Sequence, residues 1–533
     1  MNDNLTKRNG CLVFLWLLVA FLGGFSIALH WNPRRLSKTG NAELQKMSEV
    51  MSYIENFYVD SVNTDSIYGL AINAMLQGLD PHSSYATADE NKTMMETLEG
   101  SFEGIGIQFN IMNDTLMVVS VISGGPSEKA GLMAGDRMIE VDGKSIIGIK
   151  NDQAFKKLRG KKGSKVKVGI LRPGFKDKYT YEITRGVIPT YTVDVAYMMD
   201  SQTGYIKLNE FGSTTAKEFN NAIQKLKRQG MGNLIVDLRG NGGGFLDAAV
   251  SVCDEFFGNK QKIVSIEGSK VRPEIIYASR KGDFEQGKVV ILIDDFSASA
   301  SEIVAGAIQD NDRGTIYGVR SFGKGLVQEP IYFSDGSGIR LTVARYYTPS
   351  GRCIQKPYSE DYEMEIYERY ATGEMFSADS IKIEDQTQYK TAGGRTVYGG
   401  GGIVPDVFVP VDTVGVTDFS VECNRLGLQI KYASEVLDSH AKVLGTVHDM
   451  AALDRVLDSL GLEQGFLAYT AKNKVVPKEG EWARSREFML TQIRALVARY
   501  TPLGDEAFYP IYLKTDKLVL KAVENETADA GRD

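Results

Sequence analysis

This chain of 533 residues contains few cysteines and few histidines, and it has no excess of basic charge. The four cysteines lie far apart, and no two of them have the spacing of a CxxC pair or of a zinc site. We therefore expect free, buried thiols, no disulfide framework and no metal site. The formal net charge of −7 argues against a nucleic-acid-binding protein, which usually carries a basic face.

Only four histidines are present, so few residues could act as the base of a Ser–His–Asp triad. His82, His440 and His448 all lie far in sequence from the serine-rich stretch at residues 297–301. Distance along the chain does not exclude a triad, but a lysine base requires fewer assumptions here. The length predicts several domains, and 43% apolar with 24% charged residues is typical of globular proteins.

Residues 11–29 form an uncharged hydrophobic segment, long enough to cross a bilayer as a helix. Lys7 and Arg8 precede this segment and favour an N-terminus inside the cell, although basic residues also follow it. No clear small-x-small cleavage site follows either. We interpret residues 1–36 as an uncleaved N-terminal membrane anchor, with a cleaved signal peptide as the alternative.

Residues 37–100 are predicted to form a helical segment. Apolar residues recur at helical spacing over 42–58, and a second helix is predicted over 66–79, before Asp80-Pro81. The segment could be a packing arm, a dimerisation element or a simple structural support, and the pattern does not choose among them.

Residues 101–185 alternate short β runs with glycine turns. This stretch resembles a PDZ domain on four motifs, at residues 104–107, 126–131, 135–136 and 141–143. A PDZ domain binds a peptide as an added strand, and a glycine-containing loop offers N–H groups to the terminal carboxylate. We assign that loop to Gly104, Ile105, Gly106 and Ile107; the alternative is that these glycines only form a tight turn.

From residue 186 the pattern becomes α/β. Strands are predicted at 204–211, 233–238, 262–267 and 288–294, and the helices that follow the first, second and fourth of these strands end near residues 229, 257 and 309. This alternation indicates a mostly parallel sheet covered by helices. A hairpin is predicted at 326–347 and an irregular polar excursion at 357–397. We place this domain at 186–414 and a C-terminal helical domain at 415–533.

Three closely spaced serines, Ser297, Ser299 and Ser301, follow the last of these strands. Ser299 and Glu302 fit a capping box at the start of a helix, so Ser299 could simply be a helix cap. The same position also suits a nucleophile, because helix N-terminal N–H groups stabilise developing negative charge.

A serine nucleophile needs a base, and Lys324 is the candidate, provided that burial lowers its pKa. Gln328 lies four residues further on, so both side chains point to one face of an extended strand. The sequence of residues 318–325 (GVRSFGKG) also resembles a phosphate-binding loop. Gly325 replaces the hydroxyl residue of that motif, however, and an extended segment follows it where a helix is needed.

Taken together, these motifs resemble the carboxyl-terminal processing (tail-specific) serine proteases over residues 42–410. The matching stretches are LDPHSSY at 79–85, DLRGNGGG at 237–244, SASASEIVAGAIQD at 297–310, SFGKGLVQ at 321–328, YYTPSGRCIQ at 346–355 and GGIVPD at 401–406.

The resemblance implies a ClpP/crotonase-like α/β core and an endopeptidase that cleaves protein substrates near their free C-termini. It implies Ser299 as nucleophile, Lys324 as base and Gln328 as its partner. Oxyanion donors would be the N–H groups of Ala300 and of a glycine in the triple, for which we choose Gly243. Asp310 matches an acidic position of some members, although helix C-terminal structure explains it equally well.

No metal, nucleotide or organic cofactor is implied, and no nucleic acid. The anchor would hold the enzyme on a bacterial cytoplasmic membrane with its catalytic part in the periplasm or extracytoplasmic space; homo-oligomerisation is left open. The first alternative is a membrane-anchored PDZ scaffold with an inactive protease-like core. The second is a crotonase-like acyl-CoA enzyme, for which neither an acidic catalytic pair nor a CoA surface is evident.

Overall fold

The computed structural model describes residues 41–529, apart from 113, 123, 176, 360, 361, 363 and 384. The predicted membrane anchor lies outside these residues. Among the helices described, none combines the length and the apolar composition needed to span a bilayer. The chain divides into two compact units, Met1–Met75 and Leu76–Asp533. Helix α1 (Asn41–Phe57) lies in the first unit and α2 (Thr64–Gln77) begins there, which confirms the two helices predicted from apolar spacing.

The second unit begins with a short strand, a helix and a small antiparallel β domain. Its main sheet has the order β3-β4-β5-β7-β8, with β6 on β5, while β2 pairs with β9. In β7, Val166, Val168 and Ile170 are buried, so alternate residues of one sheet face form the domain core. The elements are β1 (Ser84–Ala86), α3 (Ala88–Leu98), β2 (Ser101–Gly104), β3 (Ile107–Met112), β4 (Thr115–Val121), α4 (Pro126–Ala130), β5 (Arg137–Val141), β6 (Lys144–Ser145), α5 (Asn151–Leu158), β7 (Lys165–Leu171), β8 (Lys178–Thr184) and β9 (Gly186–Pro189).

A six-stranded sheet of order β10-β11-β12-β15-β16-β21 follows, parallel except at the β10 edge. Strands β12 and β15 are almost wholly buried, as expected where helices cover a parallel sheet. The predicted α/β pattern is therefore confirmed. The elements are β10 (Val193–Met198), β11 (Thr203–Leu208), α6 (Thr215–Arg228), β12 (Asn233–Asp237), α7 (Leu246–Cys253), β13 (Lys262–Glu267), β14 (Glu274–Tyr277), β15 (Lys288–Ile293), α8 (Ala300–Asp310) and β16 (Thr315–Gly318).

Helix α7 ends at Cys253, four residues before the predicted end at Phe257. The carboxylate of Asp254 accepts hydrogen bonds from the Ser279 N–H and hydroxyl, which fixes the following residues in a turn. Cys253 and Cys423 are buried free thiols, while Cys353 is a free thiol of intermediate exposure.

A second sheet contains the predicted hairpin. It has the order β1-β18-β13-β14, with β17 paired to β18. The excursion at 357–397 was predicted to be irregular, and this is wrong in part, because it contains a helix and a strand pair that pack on the domain. The elements are β17 (Leu326–Tyr332), β18 (Gly338–Tyr347), α9 (Glu365–Ala371), β19 (Asp385–Lys390), β20 (Thr396–Gly399) and β21 (Val407–Phe408).

The C-terminal region is helical, as predicted. In this region Met489, Ile493 and Val497 are fully buried in one cluster, which also contains Met112 and Met117 of the small β domain. Leu513 and other C-terminal residues cover the outer face of the parallel sheet. The helices are α10 (Asp418–Arg425), α11 (Leu428–Leu444), α12 (Met450–Ser459), α13 (Leu462–Lys472), α14 (Glu481–Arg499), α15 (Asp505–Tyr512) and α16 (Lys517–Asp529).

Candidate active site

Ser299 lies at the junction of the turn after β15 and helix α8. Its backbone has φ 58° and ψ −113°, a conformation rarely adopted by residues other than glycine. Backbone strain of this kind costs about 1–3 kcal/mol and is concentrated at functional sites. The Ser299 N–H donates to Glu302 Oε2 at 2.8 Å, but within the described structure the Ser299 side chain makes no cap hydrogen bond. Its hydroxyl is therefore not used as a helix cap.

The other two serines of the cluster are fully buried and engaged. The Ser297 hydroxyl donates to the Leu238 carbonyl at 2.9 Å, and the Ser301 hydroxyl donates to the Asn241 carbonyl at 2.8 Å. Both bonds tie the serine turn to the glycine turn that follows β12. Ser299 is thus the one serine of the three with partial exposure.

Glu302 connects the serine turn with the lysine loop. Its carboxylate is fully buried and accepts the N–H groups of Ser299, Gly323 and Lys324 at 2.7–2.9 Å, and the Ser321 hydroxyl at 2.5 Å. Burial raises the pKa of Glu302, and these hydrogen bonds oppose that rise. The side chain of Glu302 thus fixes the position of the serine turn relative to the lysine loop.

Lys324 is held by a chain of hydrogen bonds. Its Nζ donates to Gln328 Oε1 at 2.9 Å, and Gln328 Nε2 donates to the His82 carbonyl at 2.8 Å. Burial lowers the pKa of Lys324 and the charge of Arg340 lowers it further. The prediction of a Lys324–Gln328 contact on one strand face therefore agrees with the geometry.

Two carboxylates act on Lys324, although its sequence neighbours contain none. Glu302 and Asp80 both raise the pKa of Lys324 and oppose the effect of burial. The tertiary fold brings them there from 22 and 244 residues away in sequence. The segment after Gly325 forms strand β17, so the helix that a phosphate-binding loop requires is not formed here.

Tyr346 joins the backbones of the two predicted catalytic residues. Its buried hydroxyl lies 3.0 Å from the Ser299 carbonyl oxygen and 2.5 Å from that of Lys324. The Ser299 hydroxyl and the Lys324 Nζ are not hydrogen-bonded to each other in the described structure. The fold thus places both residues around one tyrosine, while the Ser299 hydroxyl and the Lys324 Nζ remain without a hydrogen bond between them.

The glycine turn packs directly against the serine turn. A Cβ atom on Gly243, whose φ is +105°, would lie 2.8 Å from Ser299 Cβ and 3.0 Å from the Ala300 nitrogen, so only glycine fits. The Gly243 N–H donates to Asn241 Oδ1 at 2.9 Å. The predicted oxyanion donor therefore already has an acceptor in this structure, whereas Ala300 is the first residue of helix α8.

The predicted peptide-binding loop, Gly104 to Ile107, connects β2 and β3 of the small β domain. Gly106 has φ +78°, and a Cβ there would lie 3.0 Å from Ile188 Cδ1. The carbonyls of Ile105 and Gly106 accept the N–H groups of Ser127 and Ile122. The loop is therefore a fixed turn within a domain distinct from the sheets that carry Ser299.

Residues 202–364 match the model of peptidase family S41, and residues 93–171 match the PDZ domain model. The carboxy-terminal processing protease CtpA of Bacillus subtilis (strain 168) is 35% identical over 359 residues, which are 66% of this chain and 76% of that protein. The chain belongs to peptidase family S41. It is a serine-type endopeptidase of the C-terminal processing type, with a PDZ domain.

A second relative agrees with this membership. The carboxy-terminal-processing protease of Bartonella bacilliformis is 38% identical over 318 residues, covering 59% of this S41 peptidase and 73% of the relative. A solved photosystem II D1 C-terminal processing protease is 28% identical, with a TM-score of 0.35, and the match covers 70% of this chain and 89% of that one.

The Asp80–His82 turn lies in the stretch LDPHSSY, and no functional role was predicted for it in this S41 peptidase. The structure brings that turn to Lys324 through the His82 carbonyl. His82 Nε2 lies 2.7 Å from the Tyr362 hydroxyl, and burial, followed by the charge of Lys324, lowers the His82 pKa to about 4. His82 is thus neutral near pH 7 and contacts the lysine side of the site.

Asp310 does not lie among the catalytic candidates. Its carboxylate forms a fully buried ion pair with Arg352 at 2.8 Å and accepts the Ser350 hydroxyl at 2.6 Å. These contacts at the end of helix α8 support the structural explanation of this residue. They hold the stretch matched as YYTPSGRCIQ against the helix that begins at Ser299.

Proposed function

We propose that this S41 peptidase cleaves peptide bonds with a Ser299–Lys324 dyad. The observation that carries the proposal is the position of Lys324: its Nζ is held by Gln328, its pKa is lowered by burial, and Tyr346 links its backbone to that of Ser299. A lysine in this environment reaches its neutral form at a lower pH than an exposed lysine does. A small rearrangement that brings the Lys324 Nζ to the Ser299 hydroxyl then completes the dyad.

In the first step, neutral Lys324 takes the proton from the Ser299 hydroxyl as its oxygen attacks the scissile carbonyl carbon. The tetrahedral intermediate collapses, the C–N bond breaks, and the Lys324 ammonium returns the proton to the leaving amine. Water then attacks the acyl-enzyme with Lys324 again as base, which releases the new C-terminus and restores the Ser299 hydroxyl. Gln328 keeps the lysine amine aimed during both steps.

The oxyanion would be held by the N–H groups of Ala300 and Gly243. Ala300 lies at the N-terminus of α8, where the unpaired N–H groups and the helix dipole favour negative charge. For Gly243, the substrate oxyanion would replace Asn241 Oδ1 as acceptor. This exchange is a second rearrangement that the proposed catalytic state requires.

The PDZ domain, which we bound at residues 101–185, would capture the free C-terminus of a protein substrate at Gly104 to Ile107. The match of residues 93–171 to the PDZ model supports this proposal. We further propose the ClpP/crotonase-like class for the core at 186–414, and the outer face of a bacterial cytoplasmic membrane as its location, held by residues 1–36. The scaffold alternative is not favoured, because Ser299 and Lys324 are both present.

Substitution of either dyad residue tests the proposal. Ser299→Ala and Lys324→Ala should each lower kcat for a tail-bearing protein substrate by roughly a thousandfold or more, because the nucleophile or its base is lost. Mass spectrometry of the products measures cleavage, and thermal melts of both variants check the fold. Normal turnover by either folded variant would remove the dyad assignment.

A further inference from the structure

The sheet face on which Lys324 contacts Gln328 also carries an arginine, Arg340. Gln328 of β17 lies opposite Thr342 of β18, and Arg340 lies two residues from Thr342 on the same strand. Side chains that are directly opposite, or two residues apart on one strand, point to the same face of a sheet. Arg340 therefore lies in the next row beyond the Lys324–Gln328 contact, about 7 Å along the strand. Its charge lowers the pKa of Lys324, as expected for two cations on one face.

Arg340 has no partner of opposite charge. It is half-buried, and its Nε is buried without a hydrogen-bond acceptor. Its guanidinium forms no ion pair and no hydrogen bond with any residue that the structure describes. Burial lowers the pKa of Arg340, while the neighbouring Tyr332 raises it. A partly buried charge without a partner destabilises a fold, and perturbed charged groups are concentrated at functional sites.

Two acidic residues lie close to Arg340 in the fold but do not neutralise it. The carboxylate of Asp80 accepts the Thr342 hydroxyl at 3.2 Å and three further hydrogen bonds from the turn that follows it. Glu329 adjoins Pro330, the residue opposite Arg340, so strand alternation directs Glu329 to the other face of the sheet. The charge of Arg340 is therefore left open on the face where the proposed base lies.

A substrate at the proposed dyad would come within reach of Arg340. The scissile carbonyl has to meet Ser299 and Lys324, and an extended peptide advances about 3.3 Å per residue. A side chain two or three residues from the scissile bond thus reaches the row that contains Arg340. Pro330 and Tyr332, which border this row on β17, are exposed, so the row is open to solvent.

We propose that Arg340 is a substrate-binding residue that holds a carboxylate of the substrate within about three residues of the scissile bond. The proposal rests on the dyad of the proposed function and adds a substrate class: proteins with Asp or Glu beside the cleaved bond. The terminal carboxylate of a short tail offers the same chemistry and is the second possible source. A planar guanidinium binds a carboxylate through two parallel N–H donors, which selects both charge and position.

Competition between matched substrates tests the proposal. The bond cleaved in a tail-bearing protein substrate is first mapped by mass spectrometry. Each of the three positions on either side of that bond is then changed to Asp, Asn or Lys. The Asp and Asn forms compete in one reaction, which gives the ratio of their kcat/KM values directly. We expect a roughly tenfold preference for Asp at one position on one side of the bond.

Three variants of Arg340 separate substrate binding from effects on the Lys324 pKa. Arg340→Gln should abolish the Asp preference, Arg340→Lys should keep part of it, and Arg340→Glu should reverse it in favour of the Lys form. A change in the Lys324 pKa affects both competing substrates equally and cancels in the ratio. Arg228→Gln, which removes an exposed arginine at the end of α6, is the control and should keep the wild-type ratio.

Two results would overturn the role of Arg340. The first is a preference for Asp that persists in Arg340→Gln. The second is a ratio of one at all positions, together with an equal effect of C-terminal amidation in wild type and in Arg340→Gln. Amidation that lowers kcat/KM of wild type more than that of Arg340→Gln would instead assign the bound carboxylate to the tail itself.

A binding measurement separates this proposal from the dyad. The affinity of Ser299→Ala for the same substrates requires no turnover, and it should show the same preference for Asp. If Ser299→Ala and Lys324→Ala still cleave, the dyad fails, and the binding preference still decides the role of Arg340. If the dyad is confirmed and no preference is found, only the role of Arg340 fails.

Discussion

At the scale of single residues, Glu302 holds more of the site in place than its position in a capping box predicts. A capping-box glutamate ordinarily accepts one N–H of its own helix. Here the same carboxylate also accepts three donors of the lysine loop, from Ser321, Gly323 and Lys324. The proposed nucleophile and the proposed base are therefore positioned by one buried carboxylate.

Glu302→Gln should disrupt both loops at once. An amide has one acceptor oxygen, and its NH₂ group would face N–H donors, leaving buried groups unpaired at about 2–4 kcal/mol of unfolding free energy. We expect kcat to fall roughly tenfold or more. Glu90→Gln is the matched control, since Glu90 accepts the Thr87 N–H and hydroxyl in a capping box outside the site. If both variants kept wild-type kcat, the positioning role would be wrong.

The pH dependence of cleavage reports on Lys324. Because its pKa is lowered and its neutral form is the proposed base, kcat/KM should rise with pH through that pKa and then level off. Arg340→Gln removes a like charge, so the Lys324 pKa should rise and the rising limb should move to higher pH. Asp80→Asn removes an opposing charge and should move the limb to lower pH. Shifts in the same direction for the two variants would contradict this electrostatic account.

At the scale of elements, helix α9 supports the lysine loop from behind. Arg369 is 2% exposed and donates to the carbonyls of Arg320, Ser321 and Phe322 at 2.8–3.2 Å. Glu365 of the same helix pairs with Arg369 and with the buried Lys356. The polar residues of this helix thus form a buried network of hydrogen bonds and ion pairs and not a solvated loop.

Arg369→Lys tests this support. Lysine keeps the charge but cannot reach three carbonyls with a planar fork, so the loop should loosen. We expect kcat to fall about tenfold with KM unchanged, and the pH limb of Lys324 to shift. Arg425→Lys, which alters an exposed helical pair with Glu422, is the control. An unchanged kcat and pH profile in Arg369→Lys would show that α9 does not position the base.

At the scale of the whole second unit, the C-terminal helices contact both the PDZ domain and the parallel sheet. Arg137 of β5 pairs with Asp438 of α11, while Arg239 of the glycine turn pairs with Asp516 at 2.7 Å. Arg239 also holds Asp237, whose pKa is kept low despite burial by Arg239 and Lys207. The helical region therefore connects the PDZ domain to the turn beside Ser299.

Gly135→Ala should weaken the PDZ contact specifically. A Cβ there would lie 2.8 Å from Leu437 Cδ2, at φ +88°, so both a clash and backbone strain result. Gly143→Ala is the matched control, with φ +73° and no atom within 4 Å. Each of the two variants should lose about 1 kcal/mol of unfolding free energy because of backbone strain. Only Gly135→Ala should increase hydrogen exchange in α11, and equal exchange in both variants would refute the contact.

Much of this structure follows from local patterns. The parallel strands β12 and β15 are continuous apolar runs, and the hairpin that carries Gln328 is marked by its glycine-rich turn, so their periodicity predicts them. The irregular interpretation of 357–397 failed because Arg369 and Glu365 are polar yet buried, and their partners at 320–322 and 356 are remote in sequence. Composition reports polarity, but not whether a polar group is paired internally.

By itself, the sequence determined the chemistry that is available: a serine at a strand-to-helix turn, a lysine with a glutamine four residues on, glycine turns, and motifs of a known family. The tertiary structure decided how they are used. It engages Ser297 and Ser301 in buried hydrogen bonds, leaves Ser299 partly exposed, and brings Asp80, His82 and Glu302 around Lys324. Hydrogen-bond partners and pKa values depend on distances between remote residues, and only packing sets those distances.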